Sequence, residues 1–183
     1  MEEAMKKLCI ILPLALILCF MVGCQDKEAM AELEQFQAQK ELEEQNKELV
    51  RQMYEAIDEQ DFETFSGLSA SDGVCHIPGV PDAVPLEDVA QIIKSFYEAF
   101  PDSTHDIKAV IAEGDMVAVR FTQVSTHTGD YEGIPPTGKK ISVECQHMFR
   151  LANGKIAEAW LVEDNLGMMM QLGVELKPKE GEK

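Results

Sequence analysis

Positive charge is scarce in this chain: 16 Lys and Arg stand against 33 Asp and Glu, for a net charge of -17. A surface this acidic repels phosphate backbones and anionic headgroups, which argues against nucleic acid as a partner. Solubility is the plainest use of such charge. Cysteine pairs are missing too. Of five cysteines, Cys9 and Cys19 lie in an N-terminal apolar run, Cys24 ends it, and Cys75 and Cys145 stand far apart. The last two lack the CxxC spacing of a metal or redox site and read as buried thiols; whether they pair stays open. The four histidines show neither HxH nor HxxxH spacing, so no metal is expected. No GxSxG elbow is present, and GIPPTGK lacks the spacing of a phosphate-binding loop.

What the N-terminus does have is a run without charge, LCIILPLALILCFMVG, after MEEAMKK and before Cys24. The run is short for a bilayer span of about 20 residues and has the length of a signal-peptide core. Its end, FMVGC, resembles a bacterial lipobox, although Met21 stands where Leu is usual and Glu2 and Glu3 offset Lys6 and Lys7. The resemblance implies residues 1–23 as a lipoprotein signal peptide, lipidation of Cys24, and a protein anchored in the bacterial cell envelope, outside the cytoplasm. An uncleaved anchor is the alternative, and both hold the domain at a membrane.

Residues 24–45 are rich in Glu, Gln, Ala and Lys and read as a solvated helical spacer, since Met30, Leu33, Phe36 and Leu42 keep no heptad. A domain over 46–176 follows, and 177–183 reads as a disordered tail. Leu49, Val50, Met53, Tyr54 and Ile57 form a helical stripe facing a core. DFETFSGL reads as a second helix capped by Asp61, and VCHIPG as a short strand. In VPLEDVAQIIKSFYEAFPD the stripe is Val89, Ile92, Ile93, Phe96 and Phe100. The period then changes. HDIKAVIAE, DMVAVRFTQVSTHTG, KKISVECQHMFRLA and KIAEAWLVED read as strands, and NLGMMMQLGVEL as a closing helix. Helices followed by an antiparallel meander predict an α+β domain with helices on one face of the sheet.

Two runs, THTGDYEGIPPTGKKISV and FRLANGKIAEAWLVEDNLGMMMQLG, resemble the SnoaL-like polyketide cyclases. The resemblance covers about residues 46 to 175. It implies the nuclear-transport-factor-2-like cone, with N-terminal helices packed on a curved antiparallel sheet around a deep pocket. It also implies an intramolecular aldol condensation with no metal or organic cofactor, and a homodimer through the sheet face. An aspartate shortly after the tryptophan serves those cyclases as general acid/base, and Asp164 matches it. A small apolar or carbonyl-containing ligand is the implied partner. The same fold also hosts binding modules, so a non-catalytic ligand-binding or interaction lipoprotein is the rival reading.

The hairpin at Asn153-Gly154 bears on that assignment. A two-residue type I′ turn would pair Ala152 with Lys155 and set His147 opposite Trp160, Cys145 opposite Val162 and Val143 opposite Asp164. His147, Trp160 and Asp164 would then share a face. A bulged turn would shift the register by one and remove His147 from the set. In water a carboxylate is a weak base, so the chemistry calls for walls of low polarity. Trp160, Phe96 and Phe121 are the candidate walls, with His147 orienting the carboxylate and His76 a further pocket candidate. The structural alternatives are definite. Asp164 stands where the last helix needs an N-cap, and His147 and Trp160 serve equally as core residues. His127 is expected to hold a turn and His105 to be exposed. Met168, Met169 and Met170 are expected to plug the core.

Overall fold

The computed structural model describes residues 2–175, with side chains from residue 27 onward. The expectations for the apolar run and for Cys24 fall on side chains outside that range, and the proposed tail lies outside the described residues. Two compact units are distinguished, one ending at Leu42 and one beginning at Glu43. In the first, Met30, Leu33, Phe36 and Leu42 are exposed on helix α1 (Glu2–Asp58). No break separates the expected spacer from the core-packing helix; both are α1. Among the described residues no helix is long and apolar enough to cross a membrane.

The second unit folds from the core stripe of α1 onward. Val50, Met53, Tyr54 and Ile57 are buried, at the spacing that brings them to one helical face. Helix α2 (Phe62–Leu68) starts at Asp61, whose carboxylate accepts the Thr64 N–H, as expected of that cap. Strand β1 (Ser69–His76) and the short β2 (Val84–Pro85) lead into α3 (Leu86–Ala99). The buried face of α3 is rotated from the expected stripe. Leu86, Val89, Ala90 and Tyr97 are buried, whereas Ile92 is exposed.

Strands β3 (Thr104–Glu113), β4 (Met116–Thr126), β5 (Lys140–Ala152) and β6 (Lys155–Glu163) form the expected meander, closed by α4 (Asn165–Leu172). The sheet order is β2-β1-β6-β5-β4-β3. It is mixed rather than wholly antiparallel, because β1 runs parallel to β6. Helices pack on one face of this curved sheet, and strict alternation along β5 sends Ile141, Val143, Cys145, His147 and Phe149 inward.

The β5–β6 turn is the one expected. Asn153 and Gly154 have φ of 53° and 68°, and Ala152 pairs with Lys155. The register beyond it is not. Leu151 pairs with Ile156 and Arg150 with Glu158, so Ala157 is an extra residue. His147 therefore opposes Leu161, and Cys145 opposes Glu163. The bulge lies beside an irregularity in β1, between Ser69 and Val74. Gly73 packs there so closely that a Cβ would lie 3.2 Å from the Ala157 carbonyl oxygen. Two strands deform together, and the side chains of β6 past the bulge change faces.

Candidate active site

That one-residue shift decides which carboxylate meets the interior. Glu163, at the end of β6, lines a cavity of about 190 Å³ together with Tyr54 of α1, His105 of β3, Gln123 of β4 and His147 of β5. Phe96, Tyr97 and Ile93 of α3 and Met168 of α4 form walls of the same cavity. Asp164 turns the other way. It is exposed and caps α4, its Oδ1 accepting the Gly167 N–H at 2.8 Å.

The polar groups inside form a line. Tyr54 Oη lies 2.9 Å from His147 Nδ1, and His147 Nε2 lies 3.4 Å from Glu163 Oε1. The second contact is close enough for charge attraction but not aligned as a hydrogen bond, and Nε2 has no such partner. Burial first, with the neighbouring Cys145 and Glu163 adding to it, pushes the Tyr54 phenol well above its ordinary pKa. It therefore stays protonated and donates to Nδ1. That fixes the imidazole tautomer, with the Nε2 proton directed at Glu163.

Burial lowers the His147 pKa, and the neighbouring Glu163 only partly opposes this. The consequence for stability has a definite sign. The unfolded chain takes up a proton at about pH 6.5, and the folded chain resists it to lower pH. His147 therefore costs nothing above about pH 6.5 and destabilises increasingly as pH falls below it, by up to about 1.4 kcal/mol per pH unit. His147→Gln should flatten the stability curve between pH 5 and 6.5 relative to the wild type, read by urea denaturation at each pH. Equal slopes would show that His147 is protonated in the fold. The depressed carboxylates Asp61, Asp102 and Glu158 are held down by hydrogen bonds from Thr64, Thr126 and His76 respectively, so they titrate in a more acidic window.

The other expected residues divide. Phe96 lines the cavity and stacks on Phe100 at 4.5 Å between ring centres. Phe121 is 1% exposed and does not line it; its ring lies beneath, against Tyr54, His105 and His147. Trp160 and His76 are on the opposite face of the sheet. Their rings stack at 5.3 Å and 9°, and His76 Nε2 lies 2.8 Å from Glu158 Oε1. Met168 is buried, whereas Met170 is exposed, so the methionine run plugs the core with one side only. Cys75 and Cys145 are free, buried thiols, pushed up to about 11 and about 12 by burial first and by Glu163 second.

Of the two remaining histidines, one differs from expectation. His105, expected outside, is held in the cavity by Asp58, with Nδ1 2.5 Å from Oδ1. His127 does hold a turn, but from a position of 0% exposure. Its Nδ1 contacts Thr137 Oγ1 at 3.1 Å, its backbone bonds Lys139 and Gly138, and its ring stacks on Phe100. The site members missed from sequence are Glu163, Tyr54, His105, Asp58 and Gln123. Tyr54 carried a signal, since a tyrosine in a core stripe needs a buried partner for its hydroxyl.

The comparisons with known proteins agree with this architecture. A family model described as SnoaL-like polyketide cyclase matches residues 47–172. Aklanonic acid methyl ester cyclase DnrD from Streptomyces peucetius is 32% identical over 84 residues, 45% of this chain and 58% of that one, so the match spans little more than half of that relative. Among solved structures, IdmH from Streptomyces antibioticus, put forward as a polyketide cyclase, is 31% identical with a TM-score of 0.66, over 70% of this chain and 99% of IdmH. AclR from Streptomyces galilaeus, put forward as a hydroxylase, is 28% identical with a TM-score of 0.68, over 75% and 87% of the two chains. Fold, order of elements and family match converge: the chain belongs to the SnoaL-like polyketide cyclase family.

Proposed function

We propose that the domain carries out cofactor-free acid/base chemistry, of the aldol-cyclase kind, on a neutral carbonyl compound held in the cavity. The observation that carries this reading is the line Tyr54–His147–Glu163, which ends with a carboxylate in a cavity walled by Phe96, Phe149 and Met168. Glu163 is the base that removes a proton next to a carbonyl. His147, with its tautomer set by Tyr54, carries its remaining N–H on the side of that carboxylate, 3.4 Å away, where it can attract the charge on Glu163. Among the described residues, no lysine or arginine lines the cavity, so a neutral ligand suits the site better than an anionic one.

The proposal extends to location. A tether at Cys24 would hold this chemistry at the outer side of a bacterial membrane, as the lipobox-like FMVGC implies. The open sheet face also suits a second copy of the chain. His76, Trp160, Met148, Ala118 and Ile111 are register partners across five strands, and Met148 and Ile111 are 47% and 67% exposed.

The test uses heptane-2,6-dione in D2O, with α-proton signals followed by NMR. The full chain in detergent should accelerate exchange by about 10²-fold or more over buffer. Binding of the dione without faster exchange would leave a carrier and remove the catalytic reading.

A further inference from the structure

His105, which lines the cavity, belongs to a second carboxylate–imidazole pair that the line through Glu163 does not use; its partner, Asp58, lines a neighbouring groove. Asp58, in the last turn of α1, accepts the His105 backbone N–H at Oδ2, 3.2 Å away, and meets the ring at Oδ1, 2.5 Å from Nδ1. One carboxylate thus fixes both the strand and the imidazole. With Nδ1 occupied, Nε2 is the nitrogen offered to a ligand, and it has no hydrogen-bond partner among the described residues. The ring packs on Tyr54 at 5.2 Å and on Phe121 at 5.1 Å. Those same two rings contact His147, so the two imidazoles flank a common aromatic pair. Gln123, the register partner of His105, lines the same cavity. His105 and Tyr54 also line a second, more open groove with Arg51, Asp58 and Lys108.

Ring closure by an aldol step needs two proton transfers of opposite sense, which one carboxylate cannot perform at the same moment. Resting on the acid/base reading above, we propose that His105, in the imidazolium form whose Nδ1–H donates to Asp58, is the general acid of this site and delivers its Nε2 proton to the oxygen that becomes the alkoxide, leaving the neutral imidazole with its Nδ1–H still on Asp58. Glu163 takes the proton from the α-carbon. The electron pair left there forms the new carbon–carbon bond, the carbonyl π pair moves to oxygen, and that oxygen takes the proton from His105. Substrate and product are isomers, so no oxidant or co-reactant is needed. His105 is reprotonated by water in the open groove, and Glu163 returns its proton to solvent.

Heptane-2,6-dione separates the two roles in one sample. Deuterium exchange reads the base alone, and closure to 3-hydroxy-3-methylcyclohexanone reads base and acid together. In the full chain, His105→Asn should lower ring closure by about 10²-fold and exchange by far less. His105→Gln should do the same, and Asp58→Asn should lower ring closure without stopping exchange. Circular dichroism identifies which variants are folded, and the three together keep the test usable if one is not. Unchanged ring closure in the folded variants overturns the proposal, as does an equal loss of both rates. Absence of exchange in the wild type overturns the acid/base reading and this assignment with it, whereas exchange without a His105 effect overturns this assignment alone.

Discussion

Glu163→Gln should lower α-proton exchange of a cavity-bound ketone by about 10²–10⁴-fold, while Asp164→Asn leaves it unchanged. The two acids are neighbours in sequence, yet they stand in different surroundings. Glu163 lies 3.4 Å from His147 Nε2 and lines the cavity, with about a third of its side chain exposed. Glutamine keeps its size and removes the negative charge and with it the ability to take a proton. Asp164 is exposed and committed to the first turn of α4 through the Gly167 N–H. Its loss is a matter of folding: Asp164→Ala should cost about 0.5–2 kcal/mol, with Asp164→Asn close to neutral because asparagine also caps. Rates on heptane-2,6-dione and urea midpoints for the same variants separate the two effects. A large rate loss at Asp164→Asn with full activity at Glu163→Gln would reverse the assignment.

The contrast shows what the sequence could carry and what it could not. Helix and strand positions were legible because burial imposes a period, and that period survives in Val50, Met53, Tyr54 and Ile57 and in the alternation of β5. The turn at Asn153-Gly154 was legible because few residues accept a positive φ at two successive positions. The bulge at Ala157 was not. An extra alanine in a strand leaves no local mark, and its counterpart, Gly73, lies in a strand far away in sequence. One unreadable residue moved the interior from Trp160 to Leu161 and from the vicinity of Asp164 to Glu163. His105 escaped for a related reason. Its burial depends on Asp58, 47 residues earlier, which holds both its ring and its backbone N–H on the edge strand β3.

Phe121→Ala should destabilise the domain by about 3–5 kcal/mol, a large share of the 5–15 kcal/mol typical of a folded domain. Phe121 is 1% exposed on β4, between Ile107 on the edge strand β3 and Cys145 on β5. Its ring centre lies 5.0 Å from Tyr54, 5.1 Å from His105 and 4.8 Å from His147. No helix or loop can close that gap without moving strands, so most of the void remains. The same ring also keeps the two imidazoles apart, and this part of its role is separable from filling space. Phe121→Leu retains much of the volume and should cost about 1–1.5 kcal/mol, leaving the protein folded. With the flat ring gone, His147 and His105 gain freedom to tilt, and ring closure should fall in a fully folded sample. Urea denaturation and rates on the dione, measured on the same preparations, decide the matter. A Leu variant with undiminished rate would make Phe121 a core filler only, and the imidazoles would then owe their placement to Tyr54, Asp58 and Glu163 alone.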